Sequence, residues 1–311
     1  MTEPTLPSGG RLLRRAHLLG DFLAVADAGG IRPAADRLHI SQSALTRRIQ
    51  DLEDDLGVAL FERSPAGMRL TAFGQALLHH ARIIDVTCAY AASEIGDLLG
   101  GGAGELRIAA GPAWGYVAVP DAIAAVQRRL PRVRVELVNR MNEFTLPMLA
   151  SGRLDAVLGG LPERRQRDPE LVYEELLDIH YLIFAGRQHP LHAAEQVGPG
   201  EVGREAWIGF NEAVTGRAFF SAWFEQANVT PPISSFETQS VQSGFRLMQR
   251  GNYLMLLPST LTSLAQEYGI APLRSGPPIG SYVSGMMYRA SALRLRAFAA
   301  FREEVLRLTA A

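Results

Sequence analysis

Residues 29–56, GGIRPAADRLHISQSALTRRIQDLEDDL, constrain the fold more than any other stretch of this chain. They read as a short helix, a tight turn and a second helix with two chemically opposite faces. On the second helix Leu45, Ile49, Leu52 and Leu56 recur at i, i+4, i+7 and i+11, an apolar stripe for packing inward. At roughly 100° per residue, Ser43, Thr46, Arg47 and Gln50 gather on nearly the opposite side. That face offers hydroxyl, amide and guanidinium groups and no carboxylate, which is the chemistry that reads base edges in a major groove. The acids Asp51, Glu53, Asp54 and Asp55 come only as the helix runs out. The spacing predicts a DNA-recognition helix.

The flanking residues support it. Leu19, Phe22, Leu23 and Ala26 give a preceding helix its apolar face, and Gly29-Gly30 stop it. Pro33 suits the first turn of the next helix, where its missing N–H costs nothing. Ala34, Ala35 and Leu38 are small enough for two helices to cross closely, and Ser41 is a natural N-cap. In VALFERSPAGMRLT, two short strands, Val58–Glu62 and Met68–Leu70, flank Ser64-Pro65-Ala66-Gly67, the residue order of a type I turn. A hairpin there makes a winged helix-turn-helix. The alternative, a packing helix hairpin in an all-α protein, explains neither the acid-free face nor the wing.

The run from Phe22 to Gly74, with AADRL, SQSALTRRIQDLEDDLGVALFER and LTAFG in register, resembles the N-terminal domain of the LysR-type transcriptional regulators. The resemblance implies base contacts from Gln42, Ser43, Thr46 and Arg47, with Arg48 and the wing residue Arg69 near phosphates or a minor groove. Gln50 joins the set from its place on the outer face. Ser43 stands where the family commonly has proline, adding a hydroxyl to the face expected to read bases. The Ile31-Arg32-Pro33 entry differs from the usual Ser-Phe-Thr type. Neither departure challenges the fold.

A chain of 311 residues exceeds one typical core, and 47% hydrophobic content argues against disorder. The formal net charge of -1 leaves DNA attraction to local charge: Arg32, Arg37, Arg47 and Arg48 face only Asp36 over residues 32–48. All 31 basic residues are arginine. We read that mainly as a coding bias, although arginine suits bidentate contacts to guanine and phosphate. A single cysteine excludes an intrachain disulfide and fits a reducing cytoplasm. No 18-residue apolar run is present and Asp21 interrupts LLGDFLAVA, so neither a membrane span nor a signal peptide is expected.

After Thr71 as an N-cap, Leu77, Ala81, Ile84, Cys88, Ala91, Ile95 and Leu98 recur at alternating spacings of four and three. This a/d seam marks a helix packed lengthwise on another helix. An ordinary core helix would also show it. A helix leaving a small domain lacks anything of its own to bury the stripe, so a partner protomer is the simplest supplier. In the resembled family the linker helix dimerises, which matches a two-fold dimer on two half-sites. The expected organisation is a DNA-binding domain over 1–70, a linker helix over 71–99, a flexible joint over 100–104 and an effector domain over 105–311.

The joint, Gly100-Gly101-Gly102-Ala103-Gly104, lacks the Gly-Lys-Ser/Thr of a phosphate loop. Beyond it strands and helices alternate. Strands are expected at 106–110, 133–138 and 156–160, with helices over 113–129 and 143–151. A pair of strands follows around 171–186. Strands at 207–210, 234–238 and 253–258 then alternate with helices from Gly216 and over 241–250, and a C-terminal helix starts after Leu293. Two βαβ halves describe two lobes around a cleft, lobe I near 105–170 and 280–311 and lobe II near 180–275. The family's effector domain has this α/β form, similar to periplasmic binding proteins. Ligands in such sheets sit beyond the carboxyl ends of strands. That rule nominates Gly111, Pro112, Ala113, Trp114, Met141, Asn142, Gly160 and Leu161, with Phe210, Asn211, Thr215 and Gly216 from the other lobe; the family's inducer contacts fall in the same loops. Gly111 stands where the family commonly has serine, and Tyr253 where it has glycine in a G-x-G-I-A-L-L-P-like run. Trp114, Met141 and Phe210 favour an apolar or aromatic small molecule.

Enzyme chemistry finds little support. His79 and His80 are adjacent on a helix, unlike an i, i+4 ligand pair, and Pro190 breaks any helical register among His180, His189 and His192. No metal, cofactor or catalytic residue is expected, and no Gly-x-Ser-x-Gly elbow occurs. Cys88 could pair across a dimer as an oxidant sensor, although burial in the seam is the simpler role. The expected partners are an inverted-repeat operator in double-stranded DNA, a small-molecule effector, a second copy in a homodimer or homotetramer, and RNA polymerase. An architectural DNA-binding protein with a vestigial ligand domain is the alternative.

Overall fold

The computed structural model describes residues 12, 14–64, 67–99, 104–210, 214–276 and 278–310, with backbone alone at 64, 97, 210, 214 and 215. The chain forms two compact units, Met1–Ser93 with Ala150–Arg153 and Glu94–Leu149 with Leu154–Ala311. In the first, α1 (Ala16–Ala28) ends on Gly29 at φ 69, a left-handed position that only glycine takes without penalty. Helix α2 (Ile31–Leu38) ends on His39 at φ 55, where the chain reverses toward α3 (Gln42–Leu56). The Ser41 hydroxyl accepts the Ala44 N–H at 3.2 Å and caps α3. Phe22, Val25, Ala34, Ala35, Leu45, Leu52 and Leu60 are buried together, so the predicted stripe of α3 does face the core. With α1 also supplying Leu18 and Leu19, three short helices share one small core.

The wing is a two-stranded antiparallel hairpin, β1 (Phe61–Ser64) and β2 (Gly67–Leu70), with Phe61 opposite Leu70. Its first strand starts three residues later than the expected Val58. The Val58 N–H closes α3 onto the Glu53 carbonyl at 3.2 Å, and the Leu60 and Phe61 N–H groups both donate to Glu53 Oε1. Donors committed to α3 leave no ladder for β1 before Phe61. The expected turn residues Pro65 and Ala66 lie outside the described residues. Thr71 then caps α4 (Ala72–Leu98), accepting the Gly74 N–H at 3.1 Å while donating to the Ala59 carbonyl at 2.7 Å. A Cβ on Gly74 would sit 2.1 Å from the Leu60 carbonyl oxygen, which is why this helix start tolerates only glycine beside the wing.

The second unit is built on one mixed sheet in the order β4-β3-β5-β11-β6-β9-β7-β8, with β10 (Ile270–Pro272) also on β6. Strands β3 (Glu105–Ala110), β4 (Arg134–Asn139) and β5 (Ala156–Gly160) run parallel, as do β7 (Ala206–Phe210), β8 (Phe236–Thr238) and β9 (Tyr253–Pro258). The two sets are the two lobes. They are joined by β6 (Leu171–Gly186) and β11 (Ser281–Arg289). Where a pair of strands was expected over 171–186, β6 is one 16-residue strand. It pairs with β11 through His180 and with β9 from Tyr181 onward, so the change of partner occurs without a break in the chain.

The expected helix over 113–129 is two, α5 (Pro112–Gly115) and α6 (Ala118–Arg129). Pro120 has no N–H and its ring crowds the carbonyl of Tyr116, four residues back, which favours the interruption between Gly115 and Ala118. Helix α7 (Asn142–Ala150) follows β4. Lobe II carries α8 (Pro199–Val202), α9 (Val214–Gln226), α10 (Val241–Met248) and α11 (Thr262–Glu267). The C-terminal α12 (Arg296–Thr309) returns to pack on α6 of lobe I, burying Phe298, Phe301 and Val305.

Candidate DNA-reading face and candidate effector cavity

Helix α3 sorts its side chains by chemistry. Leu45, Ile49 and Leu52 are buried, whereas Gln42, Ser43, Thr46, Arg47, Arg48 and Gln50 are exposed, as is Arg69 on β2. Thr46 spends its hydroxyl proton on the Gln42 carbonyl at 2.8 Å, so toward solvent it acts as an acceptor. The Ser43 and Ser41 hydroxyls lie 3.1 Å apart. Arg48 is oriented from within: its Nη1 lies 3.3 Å from the buried Asp21 carboxylate of α1. That pair braces α1 against α3 and fixes the side of the helix on which the Arg48 guanidinium lies. Arg37 is likewise held, donating to the Ala24 carbonyl at 3.2 Å. On α4, Ala81 is buried, while Ile84, Cys88, Ala91, Ile95 and Leu98 are exposed and Leu77 half-buried. The burial expected for Cys88 is therefore not supplied within this chain.

Between the lobes of the second unit lies a cavity of about 280 Å³. The structure brings to it Gly111, Pro112, Ala113, Trp114, Met141, Asn142, Gly160 and Leu161. Local geometry explains each loop. The Gly111 N–H donates to the Leu158 carbonyl at 3.0 Å, holding the end of β3 to β5. Trp114 is fully buried and donates its indole N–H to the buried Ser284 hydroxyl at 2.8 Å, so it offers the cavity only its ring. The Asn142 amide donates to the Gly160 carbonyl, and a Cβ on Gly159 would fall 2.2 Å from Asn142 Oδ1. Phe210 and Thr215 as side chains, and Asn211 altogether, lie outside the described residues.

The sequence reading missed Tyr181 on β6 and Tyr282 on β11, which also line the cavity along with Leu256, Leu257 and Pro258. Their rings lie 5.4 Å apart at 34° and their hydroxyls share a hydrogen bond. Burial pushes Tyr181 up to about 12 and Tyr282 higher still, the neighbouring Tyr181 adding to the rise, so both stay neutral in any physiological range. Tyr181 also walls a second cavity of about 290 Å³ in lobe II, lined by Gly216, Trp207, Phe220, Arg217 and Glu237. Gly216 thus faces the other side of Tyr181, where a Cβ would lie 3.2 Å from the ring. No sequence signal marks a strand interior as a partition.

Of the histidines noted in the sequence, His189 has a structural role in the described residues. Among the described residues no three His, Cys, Asp or Glu side chains are grouped to hold a metal. His189 is buried, and its Nδ1 accepts the Leu191 N–H at 3.2 Å, capping the short turn at Pro190–Ala193. Burial holds its pKa below the usual imidazole range; Glu205, 3.6 Å from Nε2, opposes this and His192 adds to it. Unfolded histidine titrates near ~6.5. As pH falls below that value the unfolded chain takes up a proton and the fold does not, so stability is full above it and declines on acidification toward the lower folded value. His189→Asn retains an acceptor for the cap and loses the titration. Denaturation midpoints at pH 7.5 and 5.5 are expected to differ less for the variant than for the parent chain.

Two family models match: residues 17–75 fit the bacterial regulatory helix-turn-helix protein, lysR family, and residues 99–310 fit the LysR substrate binding domain. The chain is 31% identical over 220 residues to the transcriptional regulator ShiR of Corynebacterium glutamicum, covering 70% of this chain and 73% of that one. It is 30% identical to the RuBisCO operon transcriptional regulator of Allochromatium vinosum, covering 67% and 68%. Among solved structures, full-length OxyR from Pseudomonas aeruginosa aligns with a TM-score of 0.67 at 23% identity, covering 93% of this chain and 94% of that one. Full-length CbnR in complex with its target DNA aligns with a TM-score of 0.62 at 23% identity, covering 94% and 99%. Among the described residues no helix is long and apolar enough to cross a membrane. The two matches between them span both parts of the chain, and the chain belongs to the LysR family: it is a DNA-binding transcriptional regulator with an effector-binding domain, not an enzyme.

Proposed function

We propose that a small-molecule effector bound between the two lobes switches this regulator, and that a homodimer, paired into a tetramer, reads an inverted-repeat operator. The observation that carries the reading is the cavity itself, whose walls come from both lobes while β6 and β11 run between them. Ligand contacts on both sides favour one angle of closure, and a ligand shifts an equilibrium only by its differential affinity for the two states. The exposed apolar positions of α4, Ile84, Ile95 and Leu98 among them, supply a seam for the second protomer. Two copies of α3 then address two half-sites related by a dyad, with Gln42, Ser43, Thr46, Arg47 and Gln50 toward bases and Arg48 and Arg69 toward phosphates. The effector domain connects this to RNA polymerase in the cytoplasm through the geometry imposed on the DNA.

Two experiments test this. Ile84→Asp with Ile95→Asp places charges in the seam and is expected to give a monomer in sedimentation, with operator binding reduced by orders of magnitude; an unchanged dimer removes α4 from the interface. Circularly permuted operator fragments run with and without saturating effector report the bend angle. A ligand that occupies the cavity and leaves both bend and transcription unchanged defeats the coupling and favours an architectural role.

A further inference from the structure

We propose that lobe II carries a second small-molecule site, separate from the cavity between the lobes. It takes an aromatic ring bearing a neutral group that both donates and accepts a hydrogen bond, as in a phenol or a carboxamide. The site is the cavity of about 290 Å³ on the far side of Tyr181. Its described walls come from α9, β7, β8 and the 231–234 segment, together with Tyr181 of β6 and Leu256 of β9. Among the described residues those last two are the side chains it shares with the inter-lobe cavity. Ligand pockets run from roughly 300 to 1,000 Å³, so this volume suits a single ring. Trp207 is buried and gives its indole N–H to the Val202 carbonyl at 2.8 Å, which leaves its ring for the cavity. Phe220 meets that ring at 4.7 Å and 70°. Aromatic walls of this kind receive a further ring offset or edge to face. Ile233, 92% exposed, extends the apolar surface at the mouth beside Pro231 and Pro232.

The polar groups set the rest of the ligand. Arg217 on α9 and Glu237 on β8 both line the cavity and are exposed, with Arg217 Nη2 3.9 Å from Glu237 Oε1. That separation is an ion pair without a hydrogen bond. Neither side chain is hydrogen-bonded to another described residue, so donors and acceptors stand free on the two sides of a narrow gap. A hydroxyl placed about 2.8 Å from each accepts from the guanidinium and donates to the carboxylate, and a carboxamide does the same with its oxygen and its N–H. The opposite charges balance, so a ligand group without net charge joins the pair instead of competing with one member of it. Gly209 brings no side chain into the space, and a Cβ there would fall 2.5 Å from Ser234 Oγ and 3.4 Å from Glu237 Cγ. The strand is therefore bare where the ring and its polar substituent meet.

Phenol and benzamide, with toluene as the ring alone, test this on the full-length protein by calorimetry and tryptophan fluorescence. The two polar probes are expected to bind about tenfold or more tightly than toluene, the usual worth of a hydrogen bond to a charged group. Arg217→Ala with Glu237→Ala, both at exposed positions, is expected to abolish that preference, and Ser221→Phe, which puts a ring into the space from α9, to abolish binding. The fluorescence change is expected to disappear in Trp207→Phe and to persist in Trp114→Phe. Polar probes that bind no more tightly than toluene, or that keep their advantage in the double variant, overturn the proposal. Binding that survives Ser221→Phe, or a signal that follows Trp114, places the probes outside this cavity; it overturns the second site and leaves the inter-lobe effector reading standing. Absence of binding by phenol and benzamide up to millimolar concentration likewise overturns the second site alone.

Discussion

Trp114→Ala is expected to destabilise the effector-binding unit by about 3–5 kcal/mol, the usual cost of truncating a fully buried aromatic side chain. The side chain is 0% exposed and lines the cavity between the lobes, so truncation opens a void beside it. The loss has a second component. Ser284 on β11 is equally buried and accepts the indole N–H, and its hydroxyl would be left without that partner. Trp114→Phe separates the two, restoring most of the ring while still losing the hydrogen bond. Ser284→Ala is expected to cost less in the Trp114→Phe background than alone, because a hydroxyl already deprived of its donor has less to lose. Urea denaturation followed by tryptophan fluorescence, fitted to the transition of this unit, measures the cycle. Additive losses would mean that the indole N–H and Ser284 do not act together.

Arg47→Ala is expected to weaken operator binding by about 1–3 kcal/mol and to relax specificity at one base pair. Its exposed guanidinium projects from the face of α3 opposite Leu45, Ile49 and Leu52. Arg69→Ala, on the wing, provides the contrast: weaker binding to all sequences alike and a salt dependence shallower by about one counterion. Binding of randomised operator libraries at two salt concentrations distinguishes the two. Unchanged base preference in the Arg47 variant would place that side chain off the base edges.

The DNA-binding unit was legible because its signals are local. Ser41 as a cap, Gly29 as a stop, and a four-and-three apolar stripe on α3 are each decided by neighbours within a few residues, and the structure places all of them as expected. The start of the wing was not, because Glu53, one turn before the end of α3, takes the N–H groups of Leu60 and Phe61. In the effector domain the strand ends adjoining the cavity were recognisable from the alternation of strands and helices. The long β6 was not: its first half is acidic and half-exposed, its second apolar and buried, and that change of composition reads as two strands. It is one because the strand passes from β11 to β9 at Tyr181. The partition by Tyr181 and Tyr282 follows from that pairing over a hundred residues of separation, which no local pattern records. Pro120 did carry a readable warning that the helix over 113–129 would break.

The most direct test of the account is the set of genomic DNA fragments retained by the purified protein at two salt concentrations. Sequence-specific regulation predicts a short dyad-symmetric motif whose enrichment persists at the higher salt, because base contacts from α3 add to the phosphate term rather than replace it. Uniform retention that disappears with salt would mean phosphate contact alone, and would contradict the assignment of α3 as a reader of sequence.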